Sequence, residues 1–152
     1  MNRRHLIRVL AIASFTLLFG ATRAPAAEPG KEKALHVGES LHYDSGLKLT
    51  FLAVRNDSRC PFNAQCLSSG DAEVVLLVKA GNQKARKVRI HTDLQPRTVM
   101  IPVNVYPPGV GVVSVFDFYA ISIARLAPLP NTEKKLLQSD YRLKLNISRV
   151  QD

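Results

Sequence analysis

Beyond residue 27 the apolar positions of the chain recur with a period of two, the spacing of strands with one covered face. Leu47–Val54 places Leu47, Leu49, Phe51 and Ala53 on one side. Ala72–Lys79 carries an unbroken apolar run from Val74 to Val78, as a strand covered on both faces would. In Lys84–His91, Val88 and Ile90 alternate with Lys87, Arg89 and His91. Tyr119–Leu126 sets Tyr119, Ile121 and Ile123 opposite Ala120, Ser122 and Ala124. The clearest alternation is Tyr141–Val150, where Tyr141, Leu143, Leu145 and Ile147 interleave with Arg142, Lys144, Asn146 and Ser148. Leu41–Tyr43 and Thr98–Val105 are weaker, and Pro102, which cannot donate to a ladder, restricts the latter to a sheet edge. No window after residue 27 sustains a helical period over three turns.

The breaks between these runs have turn chemistry. Asp44-Ser45-Gly46 separates the first two strands, and Gly46 is expected to take the positive φ of a tight hairpin. Gly81-Asn82 predicts a second hairpin, while Pro107-Pro108-Gly109 and Pro128-Leu129-Pro130-Asn131 interrupt the chain twice more. Thr132–Gln138 reads as one helical turn or a loop. Seven to eight strands in one domain predict an all-β fold, an antiparallel two-sheet sandwich with immunoglobulin-like or similar Greek-key connections. Its span is residues 37–152, behind a flexible leader at 27–36.

The first 26 residues have a different pattern. Arg3, Arg4 and Arg8 precede the apolar run Val9–Gly20, and Ala24-Pro25-Ala26 follows as a small-x-small site. This is the layout of a signal peptide cleaved after Ala26, its apolar run being too short for a membrane span. The paired arginines also resemble a twin-arginine signal, but are ordinary in the general export route, which is the expected one. Cleavage removes four arginines, so 21 basic residues become 17 against 12 acids and the net charge falls from +9 to +5. A mildly basic periplasmic or secreted protein follows, with no transmembrane segment after cleavage. No nucleic-acid-binding motif is present, which leaves an unknown protein or an anionic envelope ligand as partner.

Both cysteines, Cys60 and Cys66, lie in the segment Val54–Gly70. In an oxidising compartment they are most simply a disulfide, closing so small a ring that it shapes a loop more than it holds a domain. The string Asp57-Ser58-Arg59-Cys60-Pro61-x4-Cys66-x3-Gly70, followed by Ala72-x-Val74, resembles a motif of small exported bacterial proteins of uncharacterised function. Their pattern is approximately D-S-R-C-P-x4-C-x-W-A-G-x-A between two strands; Ser68 and Ser69 stand here where Trp and Ala are usual. The resemblance implies export and a β-fold from about Gly38 to the last strand, and supplies no assigned activity to carry over.

Other chemistries fit this segment poorly. Redox work favours Cys-x-x-Cys at a helix start. Cys60, Cys66, His36, His42 and His91 match no zinc or copper spacing, so no metal or other cofactor is expected. Asn56, Asp57, Asp71 and Glu73 offer oxygen ligands without a calcium-loop spacing. Ser58, Ser68, Ser69, His42 and Asp44 lack a nucleophile-elbow signature, and no catalytic residue is assigned. Asp57 reads as a turn residue, and Glu73 as a solvated strand residue or a partner for Arg59. The expected function is a non-catalytic binding module using loop 55–70, with Asp57, Arg59, Pro61, Phe62 and Gln65 as contact residues. Phe62 has a competing and slightly favoured role turned into the core. Lys84, Arg86, Lys87 and Arg89, with Lys79, form a basic patch, more simply the solvated face of a sheet. The alternative function is a periplasmic hydrolase or metal-binding protein using polar groups near the loop.

Overall fold

The computed structural model describes residues 33–104 and 116–151. The signal segment, the leader up to residue 32 and the Pro107–Gly109 break lie outside the described residues. Among the described residues eight strands form: β1 (Leu35–His36), β2 (Ser40–His42), β3 (Leu47–Arg55), β4 (Glu73–Ala80), β5 (Arg86–His91), β6 (Thr98–Asn104), β7 (Phe116–Ala127) and β8 (Arg142–Gln151). One 3₁₀ turn, Gln138–Asp140, precedes β8. The strands make two antiparallel four-stranded sheets, ordered β1-β8-β7-β6 and β2-β3-β4-β5. The all-β two-sheet sandwich expected from the sequence is the fold.

Its connections are simpler than a Greek key. Every hydrogen-bonded neighbour except β1 and β8 is also a sequence neighbour, so each sheet is a meander and the chain changes sheet between β1 and β2 and between β5 and β6. Adjacent pairing is the low-entropy choice where linkers are short. The first change of sheet is a bend at Gly38, whose φ of 90° an L side chain rarely adopts. Gly38 N donates to Phe51 O at 2.7 Å and Phe51 N donates to Glu39 O at 3.0 Å, beside a bulge at Phe51/Ala53. The sandwich therefore takes in Leu35 and His36, which the sequence assigns to the leader. Leu35 is buried and pairs with Leu143, because its apolar side chain completes the core.

One apolar core lies between the sheets. Leu47, Leu49, Phe51, Val74, Leu76, Val78 and Ile90 enter it from one sheet, and Leu35, Ile101, Tyr119, Ile121, Leu143 and Leu145 from the other. Burying each large side chain contributes about 1.5–3 kcal/mol. Within β3 the buried positions shift from 47, 49 and 51 to Val54, because the bulge moves the alternation by one residue. Ala53, placed on the inner face by strict alternation, is thereby only half-buried. Strand β6, with Pro102, occupies a sheet edge as its proline requires. At the β2–β3 hairpin Gly46 does not take a positive φ; the Asp44 carboxylate closes the turn by accepting from Gly46 N (2.7 Å) and Leu47 N (3.0 Å). The left-handed glycine at this end is Gly81, φ 51°, in the β4–β5 hairpin.

Candidate functional site

Three loops meet at one end of the sandwich: 56–72 between β3 and β4, 92–97 between β5 and β6, and 128–141 between β7 and β8. The first is held by every element of its motif. Arg59 and Asp57 side chains are 7% and 9% exposed and form a two-pronged ion pair, Nε to Oδ1 at 2.8 Å and Nη2 to Oδ2 at 2.7 Å. The remaining guanidinium donors reach across to the other sheet, Nη1 to Leu126 O (2.6 Å) and Nη2 to Pro128 O (2.9 Å). Tyr141 Oη donates to Asp57 Oδ2 at 3.0 Å. Burial, the hydrogen bond to Asp57 and the charge of Asp57 push the Tyr141 hydroxyl up to about 12. A planar guanidinium with this many fixed acceptors is a cross-brace between the sheets.

The rest of the loop is pinned with similar economy. Cys60 and Cys66 are joined, their Cα atoms 5.9 Å apart, and Cys60 N donates to Ser69 O at 2.8 Å. The bridge is compatible with an oxidising, extracytoplasmic setting. Ser58 Oγ donates to Asp71 O (3.0 Å) and accepts from Asp71 N (3.2 Å). Gly70 has φ 66°, and a Cβ there would lie 1.9 Å from Ser58 O, so only glycine fits. Neighbouring loops add Phe62 N to Pro130 O (3.0 Å) and Asn63 Nδ2 to Thr132 Oγ1 (2.7 Å). The Gln138 amide pairs with Val54 like an extra strand, accepting from its N and donating to its O.

Asp71 ties the first loop to the second. It is buried, and its Oδ1 accepts from Thr92 Oγ1 (3.1 Å), Asp93 N (2.8 Å) and Leu94 N (3.2 Å), while Oδ2 accepts from His91 Nδ1 at 2.6 Å. Burial by itself raises this carboxyl, but the bonds from His91, the two amides and Thr92 outweigh it and hold Asp71 well below the usual carboxylate range. Ser69 Oγ donates to Asp93 Oδ2 at 3.0 Å, a further link.

The predicted contact residues thus separate into two groups. Asp57 and Arg59 are internal, their charges spent on each other and on backbone carbonyls, and Pro61 is half-buried. Phe62 and Gln65 are exposed; Phe62, at 67%, does not turn into the core, because Tyr119, Phe51 and the aliphatic chains already fill it. Leu67 beside Cys66 is wholly exposed. Glu73 is the partner of Arg89 (3.6 Å), not of Arg59, whose nearer carboxylate is two residues away. Of the oxygens considered for calcium, those of Asp57, Asp71 and Glu73 are engaged by the protein, and among the described residues no three His, Cys, Asp or Glu side chains are placed to hold a metal ion. His36, His42 and His91 sit on three separate strands. Lys84, Arg86, Lys87 and Arg89 are all exposed on or next to edge strand β5.

Sequence reasoning missed the contributions of loops 92–97 and 128–141, and with them the roles of Asp71, Gln138 and Tyr141. Exposed leucines in polar loops, Leu94, Leu129 and Leu137, were the available signal. Among the described residues no helix is long and apolar enough to cross a membrane. No protein-family model, curated protein or solved structure matches this chain.

Proposed function

We propose that the protein is a non-catalytic binding module acting outside the cytoplasm, periplasmic or secreted after loss of residues 1–26. It contacts a protein partner through the three-loop end, with Phe62 as anchor and Leu67 beside it. The observation that carries this reading is a large aromatic side chain exposed on a loop that a disulfide, a buried ion pair and an obligatory glycine hold rigid. Of the eight exposed large apolar side chains among the described residues, five (Phe62, Leu67, Leu94, Leu129 and Leu137) lie on these loops, which argues for a contact surface and not for scattered exposure. Pre-ordering lowers the entropy lost on association, about 0.5–1.5 kcal/mol for each side chain that would otherwise be immobilised, and an aromatic anchor in a partner's pocket supplies the largest share of binding energy. The disulfide and the resemblance to small exported bacterial proteins support the location. The basic residues Lys84, Arg86, Lys87 and Arg89 lie on edge strand β5 and its hairpin, outside this contact surface, and act on an acidic partner only at long range, by speeding encounter.

The test places a photo-cross-linking residue at position 62 and, separately, at position 87 in cells exporting the protein. A species joined at 62 and not at 87 is purified, and its Kd is measured. Phe62→Ala is expected to weaken binding about tenfold or more, and Lys87→Ala to change it little. The same species captured from both positions, or an affinity indifferent to Phe62→Ala, overturns the reading.

A further inference from the structure

At the opposite end of the sandwich the outer face of the β2–β3–β4–β5 sheet carries basic residues that form no ion pair among the described residues. His42 stands opposite Lys48, and Lys48 opposite Lys79. The next row is Ser40, Thr50, Leu77 and Lys87. Neither row holds an acid. Lys48 and Lys79 are exposed, and directly opposed residues on antiparallel strands hold their Cβ atoms about 4.5–5.5 Å apart, where like charges destabilise the sheet. The same face is compensated toward the three-loop end: Arg55 stands opposite Glu73, and Arg89 Nε lies 3.6 Å from Glu73 Oε1.

The uncompensated row opens into a preformed cleft of about 360 Å³, lined by His42, Ser45, Lys48, Lys79 and Gly81 among others. Gly81 N donates to Gly46 O at 2.6 Å, which ties the β2–β3 and β4–β5 turns together as its walls. Asp44 also lines it and is exposed, but both carboxylate oxygens are engaged: Oδ1 accepts from Gly46 N and Leu47 N, and Oδ2 from Tyr119 Oη at 2.6 Å. The side chains of His42, Ser45, Lys48 and Lys79 have no hydrogen-bond or ion-pair partner among the described residues.

We propose that this cleft binds a tetrahedral oxyanion of the phosphate or sulfate class between Lys48 and Lys79, with His42 and Ser45 as additional donors. A doubly charged anion neutralises both opposed ammonium groups, and its several oxygens meet several donors. A planar carboxylate, with one charge, leaves one ammonium unbalanced. The site is separate from the three-loop surface and does not depend on it.

The test is thermal unfolding in potassium phosphate against potassium chloride of equal ionic strength, for the wild type, Lys48→Glu and Lys79→Gln. Lys48→Glu replaces a like-charge pair by an opposite one, so the fold is kept while the anion is repelled; Lys79→Gln is the milder second probe. Phosphate well above its Kd is expected to raise the wild-type Tm by about 3–5 °C more than it raises the variants'. The general exclusion of phosphate from protein surfaces acts on all three alike and cancels in the comparison. In parallel, vesicles of phosphatidic acid, a phosphomonoester that can carry the second charge, in phosphatidylcholine are sedimented with each protein, with pure phosphatidylcholine as control. A Tm difference without vesicle binding assigns the oxyanion to a soluble phosphate. Vesicle binding that both variants lose assigns it to a lipid headgroup. Equal phosphate shifts in all three proteins together with no variant-sensitive vesicle binding overturn the proposal.

Discussion

The two ends of this sandwich handle charge in opposite ways. At the three-loop end Asp57, Arg59 and Asp71 are buried, and their oxygens and N–H groups are satisfied by one another, by Tyr141, His91 and Thr92, and by backbone. At the other end His42, Lys48 and Lys79 stand in an exposed row without an acid. Buried charges that are paired stiffen the structure around them, whereas exposed cations held side by side remain available to a ligand. The same residue types thus serve architecture in one place and recognition in another. Solvent exposure and pairing decide which, so a charged motif alone is a poor guide to a binding site.

The largest expected effect tests whether the loop brace is structural. Arg59→Ala leaves Asp57 buried without its partner and removes the donors to Leu126 O and Pro128 O, so it is expected to cost about 3–5 kcal/mol in urea unfolding. A cost under about 1 kcal/mol would show that the loop end resembles the exposed end after all. Gly70→Ala comes next, at about 3 kcal/mol, because its Cβ meets the Ser58 carbonyl and its φ is positive. Replacing Cys60 and Cys66 together by serine removes a seven-residue ring and is expected to cost about 2 kcal/mol, measured by the same unfolding curves.

The pH dependence sharpens the same contrast. Asp71 titrates lower in the folded protein than unfolded, so its stabilisation is complete above the unfolded value of about 4 and is lost as pH falls below it. Tyr141 titrates higher when folded, at about 12, so its contribution holds below the unfolded value of about 10 and fades as pH rises through that interval. Thermal melts of Asp71→Asn and Tyr141→Phe are expected to flatten the acid and alkaline limbs, respectively. The smallest effect belongs to the other end: Lys48→Glu is expected to stabilise by about half a kcal/mol by turning a repelling cross-strand pair into an attracting one.

Strand alternation in Leu47–Val54 and Tyr141–Val150, the turns at Asp44 and Gly81, and the cysteine pair made the sandwich and its pinned loop legible in the sequence, since all are local patterns. Strand pairing across the linkers was less so, and the meander replaced a Greek key. The bulge at Phe51/Ala53 was invisible because a one-residue shift leaves the composition of the strand unchanged. Within the candidate site, the rigidity of the loop could be read from Cys60, Pro61 and Cys66, but not the burial of Asp57 and Arg59. That depended on Leu126, Pro128 and Tyr141, more than sixty residues away in the chain. The facing of Lys48 by Lys79 likewise required the β3–β4 register. Local propensity and periodicity set which segments extend and where they turn; only tertiary packing decided which charges water keeps and which the protein pairs, because desolvation depends on neighbours distant in sequence.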